Sequence, residues 1–191
     1  MPPLDFAAQR QTMVDSQVRV NDVTDVSIQN AMRTVAREAV CPAGKAYLAY
    51  ADAEVEYAPG RWLLRPRDVA KMLFAVRPRV GDKVLAIAAP YAAAVLTEMG
   101  LDVTRLDAGD LKAPPAGPWD IIVCEGAVAV IPPAWPKALA VGGRLAVAVR
   151  EGRAGRMTLI VRGAEDLGSR QVFECTPPVM AGFEPEVGFA F

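Results

Sequence analysis

Histidine is absent from all 191 residues of the chain. Its absence removes Ser–His and Cys–His nucleophile pairs, histidine-bearing zinc sites and a histidine general base together. Any acid–base work therefore falls to carboxylates, lysines, tyrosines or water. Cysteine is scarce too. Cys41, Cys124 and Cys175 stand too far apart in sequence for a CxxC redox pair or a metal knuckle, so no metal is expected. Cys124 lies inside the apolar run DIIVC and reads as a small buried hydrophobe. Long hydrophobic runs are missing as well: Lys, Arg, Asp or Pro interrupts each one before the roughly 18 residues that a spanning helix needs. The opening MPPLDFAAQR lacks the basic-then-apolar order of a signal peptide, so a cytoplasmic location without a membrane partner is expected. An excess of one charge sign is also lacking. With 21 Lys and Arg against 22 Asp and Glu, no net field draws the chain to nucleic acid.

What is present is apolar. At 52% hydrophobic residues the chain has enough to fill a sizeable core, and a single domain over 1–191 is expected, with a helical and loop region at 1–80 and an α/β core at 81–191. Phe6, Met13, Val14 and Val18 fit one helical face; Ile28, Ala31, Met32 and Val35 fit a second after the turn-like NDVTD. Residues 41–66 read as an irregular connection in which the alternation Glu54, Val55, Glu56, Tyr57 suggests a short strand. Pro66 opens a third helix that Pro78 closes. From residue 82 strands and helices alternate. VLAIAA reads as a strand buried on both faces, YAAAVLTEM as a helix ended by Gly100, and LDVTRLD as the next strand, which together make a βαβ unit. DIIVCEGA is a third strand, PPAWPKALAV a helix stopped by Gly142-Gly143, RLAVAVR a fourth strand, and RMTLIVRG with RQVFEC an antiparallel hairpin.

The order and spacing of several short pieces resemble the protein-L-isoaspartate O-methyltransferase family over almost the whole length. They are Arg10, Met13, Val14 and Gln17, then VAREAV at 35–40, YAD at 50–52, Gly60 to Pro66, GDKVL at 81–85, AAVL at 93–96, PWDIIV at 118–123, Ile131-Pro132 and GGRL at 142–145. The resemblance implies a Rossmann-like class I methyltransferase fold: a reduced, mainly parallel sheet with N-terminal helices and a C-terminal hairpin. It implies S-adenosylmethionine as cofactor, a protein or peptide as substrate, and carboxyl methylation of isoaspartyl residues as the reaction.

The chain departs from the family pattern where that chemistry belongs. A Gly-x-Gly-x-Gly turn is replaced by Ala88-Ala89-Pro90 before Tyr91, so alanine methyls and a proline ring occupy space that glycines leave free. The family's substrate-loop serine position holds Leu64, in GRWLLRP, where Gly60, Arg61, Arg65 and Pro66 complete the loop. Asp107, the acid that the resemblance assigns to the cofactor ribose, is present, but only AGDLKAPPAGPW leads from it to Asp120, too rich in proline and glycine for the family's next helix and strand. Twelve residues at about 3.3 Å each still span the return to a parallel strand. By resemblance, Ala88, Ala89, Pro90, Tyr91 and Asp107 are the cofactor positions. Weak or lost methylation is expected, with a non-catalytic, protein-binding role as the alternative. The strand at 101–107 lacks its usual neighbour, and its open edge suits a homodimer or partner contact. Trp62, Leu63 and Leu64 form either part of the domain's own core or an apolar contact patch.

Overall fold

The structure is a computed structural model, and it describes residues 4–185. Helix α1 (Phe6–Met13) starts where the Asp5 carboxylate accepts the Ala8 N–H, and it continues through a π-helical turn, Val14–Val18, and a 3-10 turn, Arg19–Asn21. One apolar face therefore runs well past the α-helix itself, with Met13, Val14 and Val18 buried. Helix α2 (Val26–Thr34) is capped by Asp25, whose side chain accepts the Ser27 and Ile28 N–H groups. It buries Ile28, Ala31 and Met32, as the periodicity predicts.

Strands β1 (Val55–Ala58) and β2 (Arg61–Leu63) form an antiparallel hairpin that turns at Gly60, where φ is +65°. Strand β2 corrects the expected irregular loop. Leu63 and Leu64 are fully buried, and a buried backbone needs partners, which β1 supplies up to Leu63. The same burial decides between the two roles of Trp62–Leu64: the two leucines belong to the core, Trp62 is half-buried, and there is no exposed contact patch. Helix α3 (Pro66–Val76) takes proline at its first position and ends at Arg77 in the left-handed region.

The main sheet has six strands in the order β4-β3-β5-β6-β7-β8. They are β3 (Lys83–Ile87), β4 (Asp102–Leu106), β5 (Trp119–Val128), β6 (Leu139–Glu151), β7 (Ala154–Arg162) and β8 (Leu167–Glu174), with α4 (Pro90–Glu98) between β3 and β4 and α5 (Ala134–Lys137) between β5 and β6. The first four positions in that order run parallel, and β7 and β8 are antiparallel additions. The fold is thus α/β with a reduced, mainly parallel sheet. Helix α5 is shorter than expected. The ladder claims the segment from Leu139, which pairs with Trp119, and β6 passes through Gly142 and Gly143 rather than starting after them.

Two apolar layers flank the sheet. On one face α1 to α4 and the β1–β2 hairpin pack on Val84, Ala86, Ile121 and Val123. On the other, Leu111, Trp135, Met180 and Phe183 cover Leu85, Ile87, Ile122 and Cys124. The link from β4 to β5 contributes Leu111, whose carbonyl accepts the Trp135 indole N–H at 2.8 Å. Cys124 is buried as expected, and burial pushes its thiol above the ordinary range.

Asp68, in the first turn of α3, is buried near Arg67, and burial pushes its carboxyl up to about 6. A raised folded-state value means that the protonated acid stabilises the fold below the unfolded value, and that this contribution is lost as pH rises through about 6. Asp68→Asn is therefore expected to exceed wild-type stability by about 2 kcal/mol at pH 7 and to lose that advantage at pH 4. Urea unfolding at both pH values measures the difference.

Candidate functional site

Strand β3 has β4 on one side and β5 on the other, so the chain reverses its winding there, and the crevice beyond the carboxyl ends of β3 and β5 is where open α/β sheets take ligands. The turn leaving β3 keeps the backbone path that glycine would adopt. Ala88 sits at φ +45°, and its N–H donates to the Leu106 carbonyl at 2.9 Å. Holding alanine in that region costs about 1–2 kcal/mol. The conformation survives and the space does not: Ala88, Ala89 and Tyr91 have no accessible surface, and Pro90 at the first position of α4 is buried beside them.

What packs into the crevice is Glu125, inside β5 three residues before its end and fully buried. Its Oε1 accepts the Ala92 N–H at 2.6 Å, and its Oε2 accepts the Leu64 N–H at 3.3 Å. Ala92 is the third residue of α4, so the carboxylate caps a helix whose first position, Pro90, has no N–H to offer. The helix dipole favours an anion at this point. Burial raises the carboxyl of Glu125 above its ordinary range; Arg37 and the Ala92, Leu64 and Tyr91 amides oppose that rise.

Arg37 is also fully buried. Its guanidinium donates to the Ala49 carbonyl at 2.8 Å and the Leu64 carbonyl at 2.6 Å, and it lies 4.7 Å from the centre of the Tyr91 ring. Leu64 is thus gripped twice, its N–H by Glu125 and its carbonyl by Arg37. Three buried polar atoms around this pair have no protein partner: Arg37 Nη1, Tyr91 Oη and Tyr57 Oη. Burial raises both phenols well above their usual range, and for Tyr57 the nearby negative charges of Glu125 and Asp107 add to the effect.

The positions singled out in the sequence lie around this pair without forming an open site. Leu64 faces the core. Arg61 donates to the Gly60 and Ala181 carbonyls, and Arg65 pairs with Glu54 at 2.9 Å, so both guanidinia are engaged within the chain. Pro66 is buried at the start of α3. Asp107 is exposed beyond β4 and pairs with Arg105 at 2.7 Å. The segment after β8 closes the mouth. Ala127 bonds to Pro178 and Met180, Ala129 to Phe183, and Ala181 to Gly60, which carries the strap from the end of β5 to the tip of the hairpin. Among the described residues, no cluster of three His, Cys, Asp or Glu side chains is arranged to hold a metal. No helix there is long and apolar enough to cross a membrane.

Neither Glu125 nor Arg37 belongs to a recognisable site motif, although each carries a signal in the sequence. A glutamate directly following the apolar run DIIVC, and an arginine inside VAREAV, are charges where burial is expected, and buried charges need partners.

No protein-family model matches the chain. It is 35% identical to the protein-L-isoaspartate O-methyltransferase of Methylorubrum populi, over 85% of this chain and 90% of that protein. It is 33% identical to protein-L-isoaspartate O-methyltransferase 1 of Rhodopseudomonas palustris, over 84% of this chain and 78% of the relative. Among solved structures, a Plasmodium falciparum protein-L-isoaspartate O-methyltransferase in complex with S-adenosyl-L-homocysteine superposes with a TM-score of 0.72 at 13% identity, covering 90% of this chain and 97% of the other. A second protein-L-isoaspartate O-methyltransferase gives 0.71 at 21% identity, covering 91% and 66%. These two structures show the same class I methyltransferase fold.

Replacing Arg37 by methionine would leave the Glu125 charge uncompensated and the Leu64 and Ala49 carbonyls unpaired. Arg37→Met is expected to cost about 3 kcal/mol or more in denaturant unfolding. The double variant with Glu125→Gln should recover about 1 kcal/mol of that loss, the coupling that a double-mutant cycle reads.

Proposed function

This chain belongs to the protein-L-isoaspartate O-methyltransferase family, and we propose that its inherited chemistry, methyl transfer from S-adenosylmethionine to isoaspartyl carboxylates of damaged proteins, is weak or lost. The likeness to the relatives, over 84–85% of this chain, supports the inherited reaction, its methyl donor and a protein or peptide as its substrate. A carboxylate is already a nucleophile, so such a reaction asks for alignment rather than acid–base help, and the missing histidines do not count against it. The filled crevice is the observation that carries the proposed loss. As arranged here, its residues do not fit the methyl donor: the turn has no accessible surface, Glu125 holds the amides at the start of α4, and Leu64 presents a hydrocarbon where the family carries a hydroxyl. Entry of the donor would require Glu125 and the Met180 strap to move together.

The alternative role is a non-catalytic, protein-binding one, and the edge of the sheet favours it. Among the described residues, strand β4 pairs with β3 alone. Because the Leu106 carbonyl points toward β3, residues 102, 104 and 106 turn their backbone groups inward, and Val103 and Arg105 present theirs outward. An unpaired edge of this kind takes a strand from another chain. We read the occupant as a second copy of this chain, in the cytoplasm.

Titration calorimetry with S-adenosylmethionine and its demethylated product, alongside methyl transfer to an isoaspartyl peptide, tests the first part. Dissociation constants weaker than about 100 μM and no measurable transfer are expected; tighter binding with turnover overturns the proposed loss. Light scattering during size exclusion tests the second. A dimer that Val103→Pro converts to monomer is expected, and a monomer at high concentration overturns it.

A further inference from the structure

We propose that Glu125 is a built-in ligand: its side chain occupies a carboxylate-binding site made by the backbone N–H groups of Leu64 and Ala92, and the same site accepts a small free carboxylate once that side chain is shortened. The inference deepens the filled crevice proposed above by naming the chemistry of what fills it. Its outcome does not depend on whether any methyl donor binds the wild type.

Three observations converge on a site rather than on a chance burial. First, the donors come from separate elements. Ala92 belongs to α4 and Leu64 to the junction between β2 and α3, and Glu125 reaches them from β5 at 2.6 and 3.3 Å. Removing the carboxylate would not let these amides pair with each other, because both are main-chain donors. Second, a fully buried cation stands by. Arg37 is fixed by two carbonyls, one of them Leu64's, and its charge acts on Glu125 from beyond direct ion-pair distance, while its Nη1 is buried without a protein partner. Third, the site lies at the start of a nine-residue helix whose aligned peptide dipoles favour negative charge, and Pro90 removes one of the amides that water or a side chain would otherwise satisfy.

The ligand class follows from the stand-in. Two oxygens on one carbon accept from two separate amides, each oxygen taking one, and a planar carboxylate is the anion that reproduces this arrangement. The surroundings set the size limit. Tyr91, Ala89 and Leu64 have no accessible surface, so the volume freed by Glu125→Ala is that of a two-carbon acid, close to acetate or formate, with no room for a branched acid.

The experiment is thermal unfolding of the Glu125→Ala chain in rising formate or acetate, compared with sodium chloride at equal ionic strength and with trimethylacetate as the oversized control. The variant is expected to melt below wild type in chloride and to recover saturably in formate and acetate, by about 4 °C at ten times the half-saturating concentration. Trimethylacetate should give no recovery. Wild type and Glu125→Gln, in which the position remains filled, should respond equally to all four salts. Should Glu125→Ala be unfolded in chloride, formate is expected to restore its folding by mass action. An equal response to chloride and carboxylates, a wild-type response matching the variant's, or failure to fold in formate while Glu125→Gln folds, each overturns the proposal.

Discussion

The carboxylate of Glu125, held out of water between the start of α4 and the Leu64 amide, is the contact around which this fold closes. Moving a charged group into a protein interior costs several kcal/mol unless its lone pairs are met and a counter-charge is near. Here two amides meet it and Arg37 supplies the charge. The grouping ties together β5, the helix after β3 and the hairpin before α3, three pieces far apart in the chain. Arg37 completes the tie by holding the carbonyl of the residue whose N–H Glu125 holds. The main-chain orientation of Leu64 is thereby determined from both sides, and its side chain is directed into the core.

That tie lies in the crevice where a sheet of this topology ordinarily takes its ligand. Ligand sites in α/β folds depend on the helix start being free and on glycines that let a ligand approach the backbone. In this chain Ala88 retains the left-handed backbone, so the turn follows the same course, while its methyl and those of its neighbours take up the approach space. The short link after β4 adds to the closure from the other face. It lays Leu111 under Trp135, and the strap through Met180 and Phe183 packs over the same layer. Each of these contacts is apolar or self-bonded, and together they add to the core at this end of the sheet.

The fold was legible because periodicity survives without knowledge of contacts. The stripe of Ile28, Ala31 and Met32 and the doubly buried run at 84–87 each have one structure that hides their apolar atoms. The absence of a helix between Asp107 and Asp120 was equally legible, since proline and glycine act locally. Expectation and structure part where a local signal loses to a distant partner. PPAWPKALAV carries helix-opening prolines, yet from Leu139 onward the β5 ladder offers backbone pairing that a four-residue helix cannot match. RWL has turn-like flanks, yet β1 lies opposite it.

The sequence by itself determined the class of fold, the glycine-free turn after β3 and the hydrocarbon at Leu64, because these depend on residue type and spacing along the chain. Tertiary structure alone decided what occupies the crevice. Glu125 and Arg37 are 88 residues apart, and neither carries a pattern that names the other. Their juxtaposition follows from desolvation: once the sheet and helices bury both, a charge remains stable only near the amides and the counter-charge that folding brings into range.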